Sequence, residues 1–288
     1  MSGRSPPGEW RGVAWLLADI GLNVWALTIV KATGAELSAW QLVFLRAAVG
    51  LALMVPWIAW SRAEFRRARR PGLHLLRIAL SAVTLTASFH AVARLPFALF
   101  TAMNFTRPLV MIAMAALFLA EPATPRRWAA ALLGLAGVVV AVGPTATPDP
   151  ALLAMAVTVL CGTGAIVVTR KLNDQPPVVL MTAYTAGLAL ATAGPALAAW
   201  RPVSADLWPV LLAVGLFAQG AQFCFLRAHR FATAGRLAIA GYAGFVLTTA
   251  IGWAVFGEWP APAFWPGAAA ILFAGWLARP VRGRGADR

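Results

Sequence analysis

What most limits the fold of this chain is a succession of apolar runs, each about twenty residues long and joined by short connections. A helix rises about 1.5 Å per residue, so a run of that length crosses the hydrocarbon layer of a bilayer. Such runs occupy 12–30, 38–60, 74–93, 97–119, 127–143, 150–170, 177–199, 207–228, 234–256 and 263–279. Hydrophobic residues make up 60% of the chain and charged ones 12%, against about 25% in a soluble domain. In lipid, backbone polar groups must be satisfied within their own segment, which makes these runs helices. The expected fold is all-α and integral to the membrane, with ten transmembrane helices, and little chain remains for an extramembrane domain.

The formal net charge of +14 raises the question of nucleic acid, but the basic residues sit between apolar runs and form no solvated face. They orient the chain. With the N-terminus inside, one side receives Arg4, Arg11, the cluster Arg62 to Arg70, Arg77, Arg126, Arg127, Arg170, Lys171, Arg227, Arg230, Arg236 and the C-terminal arginines. The other side receives Lys31, Arg94 and Arg201, while Arg46 and Arg107 fall within spans. This bias predicts that both termini are cytoplasmic and that the chain is a multi-pass protein of the bacterial inner membrane. The Arg62 to Arg70 cluster reads as a topology determinant, the alternative being a site for anionic lipid head groups. The first run contains Asp19 and is not followed by a small-residue cleavage site, so it reads as a retained span. Cys161 and Cys224 both lie in apolar segments without metal-ligand spacing, which predicts neither a disulfide nor a metal site.

The chain reads as one unit written twice. Glu121, Pro125 and Trp128 recur as Glu258, Pro262 and Trp265, at a constant offset of 137 residues. The two copies, 1–146 and 147–288, meet in the Pro-rich segment GPTATPDP, from Gly143 to Pro150. Five spans per copy is an odd number, so the second copy enters the membrane from the side opposite to the first. The repeats are therefore expected to be inverted, an arrangement that gives many secondary transporters two exchangeable conformations around a mid-membrane site.

Spans 3 and 4, ending in FLAEPATPRRW, and the segment GYAGFVLTTAIGWAVFGEWPAP resemble the two copies of the EamA-type repeat of the drug/metabolite transporter superfamily. The resemblance covers nearly the whole chain. It implies ten helices, with spans 1 to 4 and 6 to 9 around a central cavity and spans 5 and 10 at the periphery. It implies no particular substrate. Where the family often places a small or polar residue before the proline of span 4, this chain has Arg107.

Charged groups at mid-membrane are costly, so those that remain line a cavity or have partners. In the first copy the candidates are Asp19 and Asn23, four apart on one helix face, Arg46, His90, and Asn104 with Arg107, three apart on another face. Pro108 adds to this group, because a proline has no N–H to give to the carbonyl of Asn104. The second copy offers Tyr184, Gln219, Gln222 and Tyr242, suited to hydrogen bonding and stacking on a polar organic molecule. Two arginines against one aspartate leave an excess positive charge that a carboxylate or phosphate would offset through a guanidinium fork. The alternatives are that Asp19 bridges one arginine, or that both arginines are structural. His90 and Asp19 are the candidates for a coupling proton, imidazole exchanging its proton near neutral pH. Glu121 and Glu258, at span ends, read as caps and loop anchors, with Arg126 or Arg127 near enough to pair with Glu121. Gly134, Gly137 and Gly267 permit close helix contact, within the chain or across a homodimer.

The reading is a secondary transporter that moves a small polar, carboxylate-bearing metabolite by alternating access, with protons or a counter-substrate as possible partners and no cofactor. No phosphate-cradling GxxxxGK[ST] loop is present to drive it. One alternative of the same fold is an exporter of cationic compounds. A rival of another class, a membrane-embedded enzyme acting on a lipid-like substrate, would need paired carboxylates or a nucleophile–base pair that these polar residues do not supply.

Overall fold

The structure, a computed structural model, describes residues 9–33, 36–67, 69–107, 109–111, 114, 125–142, 149–172, 174–232 and 234–277. Among these are ten α-helices and no strand. They are α1 (Glu9–Thr33), α2 (Ala39–Trp60), α3 (Pro71–Val92), α4 (Phe97–Asn104), α5 (Pro125–Val142), α6 (Pro150–Lys171), α7 (Pro177–Ala198), α8 (Leu207–Phe231), α9 (Ala234–Phe256) and α10 (Phe264–Leu277). Six of them, α1, α2, α3, α6, α7 and α8, are long and apolar enough to cross a membrane. The repeated Glu121 lies outside the described residues.

Local chemistry sets several boundaries. Proline opens α3, α5, α6 and α7, at the one helical position where its fixed φ helps and its missing N–H costs nothing. The Ser38 hydroxyl accepts from the Gln41 N–H at 3.2 Å at the start of α2, and Asp149 Oδ1 accepts from the Ala151 N–H at 2.7 Å at the start of α6. Gly257 ends α9 at φ 64°, where a side chain would be strained, and so turns Glu258 back toward the bundle. The Glu258 N–H then donates to the Gly252 carbonyl at 3.0 Å.

Packing runs mainly between the two halves of the chain. The most extensive helix contacts join α1 to α8, α3 to α6, α2 to α7 and α5 to α10, and α4 lies against α9. Large apolar side chains such as Leu132, Leu135, Leu190, Leu212 and Val246 stand on the outside, a surface suited to lipid and not to water. Many hydroxyls are committed to their own helix. Thr28, Thr84, Thr101, Thr158, Thr163, Thr169 and Thr192 each donate to the carbonyl four residues back, so a threonine facing inward is not by itself a ligand group.

The tightest approach is between α5 and α10. A Cβ added to Gly267 would collide with the Ala141 amide nitrogen and the Gly137 carbonyl oxygen, and one added to Gly137 would lie 2.8 Å from the Gly267 carbonyl oxygen. These are backbone atoms, which cannot rotate out of the way. Gly267→Ala is therefore expected to cost about 1–3 kcal/mol as an overpacked contact. It should lower the thermal midpoint of the purified protein, whereas Gly194→Ala, with nothing within 4 Å of the new carbon, should not. Equal midpoints for the two would show that the glycine contact does not hold α5 to α10.

Candidate substrate cavity

A cavity of about 640 Å³ lies inside the bundle, within the range of small-molecule sites. Its wall is drawn from α1, α2, α3, the α4 segment, α6, α7, α8 and α9, and among the described residues includes none of α5 or α10. From α1 come Asp19 and Asn23, one turn apart; α2 contributes Arg46; α7 contributes Tyr184; α8 contributes Gln222. The sequence expectation that Asp19 and Asn23 share a face, and Asn104 and Arg107 another, matches the wall.

The α4 segment is interrupted where it carries charge. Regular helix stops at Asn104, Phe105 and Thr106 form a turn, and helix resumes at Arg107. The Asn104 side-chain amide donates to the Phe100 carbonyl at 3.1 Å, and the Thr106 hydroxyl to the Met103 carbonyl at 2.6 Å. Arg107 reaches across to the second half of the chain. A Cβ added to Gly162 of α6 would lie 3.1 Å from its Nη2 and 3.2 Å from Thr84 Cγ2, so the guanidinium rests on bare backbone beside α3.

Three arginines line the interior of this space and Arg230 its end, not the two expected. Arg77 was counted as a loop cation, yet α3 begins at Pro71 and carries it well inside the helix. It opens a polar stripe, Arg77, Ser81, Thr84 and Ser88, at the one-turn and two-turn spacings of a single face, and all four line the cavity. That period was legible in the sequence. The Arg77 guanidinium lies over the Tyr184 ring at 4.9 Å and donates to the Leu180 carbonyl at 3.1 Å. Arg46 Nη1 and Arg107 Nε are buried with no hydrogen-bond partner among the described residues. Nor, among them, does any carboxylate come within ion-pair distance of Arg46, Arg77, Arg107 or, in reverse, does a cation reach Asp19. The expected alternative of an Asp19–arginine bridge is absent there.

The model of the EamA-like transporter family matches residues 11–143 and again 150–278. The chain belongs to that family. It is accordingly a transporter of the drug/metabolite transporter superfamily, a multi-pass membrane protein and not an enzyme. Among its relatives is a riboflavin transporter of Brucella anthropi, 29% identical over 273 residues, covering 90% of this chain and 94% of that one. A pseudopaline exporter of Pseudomonas aeruginosa is 26% identical, covering 81% and 83% of the two chains. An S-adenosylmethionine uptake transporter of Rickettsia bellii is 22% identical, covering 91% and 90%. A solved crystal structure shares the fold at a TM-score of 0.66 and 20% identity, covering 94% of this chain and 96% of that one.

In this EamA-like transporter the cavity reaches one end of the bundle, where Gln175, Pro177 and Arg230 complete its wall. At the opposite end a charged contact ties the two halves. Lys31, in the last turn of α1, pairs with Glu258 at 2.8 Å and donates to the Leu95 carbonyl at 2.7 Å. The other Glu258 oxygen accepts from the Phe97 N–H, the first of α4, at 2.8 Å. Gln41 adds a second tie, its side chain exchanging two hydrogen bonds with the backbone of Arg201 at 2.8 and 3.1 Å. Glu258 is thus an anchor, as its position at a span end suggested, but its partner is Lys31, which the sequence reading had left as an external loop cation.

Two of the expected site residues stand elsewhere, and a third is not described. His90 lines a separate pocket of about 550 Å³ near the tied end, with Arg94 and Arg201, and its Nδ1 lies 3.0 Å from Arg94 Nη1. Gln219 is absent from the cavity wall, since its carbonyl accepts from Thr185 at 3.5 Å and its amide lies 2.8 Å from Met54 Sδ. Tyr242 belongs to α9, and its side chain lies outside the described residues.

Proposed function

We propose that this transporter carries a small polar metabolite bearing a carboxylate, by alternating access between two inverted five-helix halves, 1–146 and 147–288. The observation that carries the cargo assignment is the set of guanidiniums on the cavity wall, Arg77 buried and Arg46 and Arg107 half-buried with one buried, unpartnered nitrogen each, none with a carboxylate partner among the described residues. A buried cation needs an anion or strong acceptors, and an arriving carboxylate supplies both lone pairs and charge. A cationic cargo would meet four arginines and one aspartate, which disfavours the alternative of a cation exporter. The relatives' names cover different cargoes, so the cargo is read from this chain's own cavity.

Helix pairing supports the inverted halves. Helix α1 packs on α8 and α3 on α6, the exchange that a two-fold axis generates, while α2–α7, α4–α9 and α5–α10 pair like with like. The bias of basic residues supports a cytoplasmic open end, and on that orientation the conformation is inward-facing. Asp19, on the wall without a cation partner among the described residues, is the residue we assign to proton exchange.

Purified protein in liposomes, offered labelled amino acids, organic acids, neutral nucleosides and organic cations with and without a pH gradient, should show saturable flux confined to acids. Asp19→Asn should abolish the response to the gradient. Flux of cations or neutral compounds with none of acids would overturn the cargo assignment.

A further inference from the structure

We propose that the cargo carries two anionic groups, held at separate levels of the cavity, one against Arg107 and Arg46 and the other against Arg77. This rests on the anionic reading above and extends it from one negative charge to two. Counted from the tied end at 1.5 Å per residue, Arg46 lies about 10 Å deep in α2, Arg107 about 15 Å deep in the α4 segment, and Arg77 about 22 Å deep in α3. Arg46 and Arg107 are thus about one helical turn apart in depth, while Arg77 stands about 7 Å nearer the opening. The stripe on α3 gives an independent measure. Arg107 and Thr84 both lie against Gly162, and Arg77 is two turns from Thr84 toward the mouth, about 10 Å away.

Each level has its own orienting contacts. At the deep level the Arg107 guanidinium rests on the bare backbone of Gly162, and both it and Arg46 retain buried N–H-bearing nitrogens without partners among the described residues. At the outer level Arg77 is 4% exposed, fixed by the Leu180 carbonyl and the face of Tyr184. A carbonyl and an aromatic face aim a guanidinium but do not neutralise it. The described wall between the two levels therefore holds three cations against the single carboxylate of Asp19. A monoanion would leave one of these levels uncompensated in a desolvated site, where an unmatched charge is expensive. A second negative group removes that penalty. A molecule with anionic ends about 7 to 10 Å apart fits both levels at once.

The test uses the purified full-length protein and α,ω-dicarboxylates from succinate to sebacate, each compared with its own mono-amide by ligand-induced thermal stabilisation. The mono-amide keeps one carboxylate and nearly the same length. The expected result is that the longer diacids bind about tenfold tighter or more than their mono-amides, the worth of one charge-assisted contact. Arg77→Gln should erase that gap and Arg77→Lys should restore part of it. Equal affinity of diacid and mono-amide in the unaltered protein would overturn the second anionic level while leaving a one-carboxylate cargo in place. An undiminished gap in Arg77→Gln would also overturn the assignment of that level to Arg77. Failure of every diacid and mono-amide to bind would instead overturn the anionic reading itself.

Discussion

Arg107→Gln is expected to cut the initial rate of acid uptake into proteoliposomes by about a hundredfold, because truncating one member of a buried charge pair costs about 2–5 kcal/mol or more. The loss follows from where this side chain sits. It leaves a helix at a break, reaches the bare backbone of Gly162 in the other half of the chain, and has a buried Nε with no partner among the described residues. Glutamine is shorter and uncharged, and no described carboxylate is stranded by its arrival. The thermal midpoint should therefore hold or rise slightly. Arg107→Lys should fall between the two, keeping the charge but losing the planar fork. If Arg107→Gln lowered the midpoint by many degrees and slowed neutral and acidic compounds equally, Arg107 would be a structural residue and not a cargo ligand.

The second large effect is expected at the tied end. Glu258→Gln removes the carboxylate that joins Lys31 of the first half to the segment after α9 and that receives the first N–H of α4. Glutamine keeps one acceptor oxygen but no charge, so what is lost is the ion pair and the charge assistance, about 1.5–3 kcal/mol, which shifts a two-state equilibrium by about tenfold or more. The readout is labelling of a cysteine on the cavity wall, Ala218→Cys, in a chain whose Cys161 and Cys224 have been replaced by alanine. An impermeant thiol reagent added from the tied side should react about ten times faster in Glu258→Gln than in the parent. Lys31→Met should act in the same direction, and the exchanged pair Lys31→Glu with Glu258→Lys should recover part of the closure. Unchanged labelling in both single variants would show that the pair does not hold that end shut.

Much of the framework was readable because lipid imposes one rule on every span. Run lengths placed the six long helices to within a few residues, and the four-residue spacing put Asp19 and Asn23 on one face of α1, while Asn104 and Arg107 reach the same wall across the turn at 105–106. The errors came from features that hydropathy averages away. Arg77 was counted with the cytoplasmic cations because it stood only four residues into a span begun at 74, whereas Pro71 begins the helix and leaves Arg77 a stripe residue. Ending the first span at 30 put Lys31 outside, although α1 continues to Thr33 and presents Lys31 to Glu258. Gln219 and Gln222 are three apart and were expected to act together. A 60° difference in direction is enough for Gln222 to meet the cavity while Gln219 meets Met54 and Thr185. Such choices are settled by which neighbouring helix is present, and no single span carries that information.

The contact between Lys31 and Glu258 has to satisfy a demand that static packing does not face. On the proposed cycle it forms and breaks at every turnover, so its strength has an upper limit as well as a lower one. A wholly dry ion pair would be a latch that jams, because separating its charges would cost too much for a carrier working at ordinary turnover rates. The Lys31 side chain is 8% exposed but that of Glu258 is 27% exposed, so water already touches the carboxylate and can take it over as the lysine leaves. Evolution of a faster carrier on this scaffold would loosen the latch by wetting Glu258 further, and a more tightly sealed one would be bought with slower release.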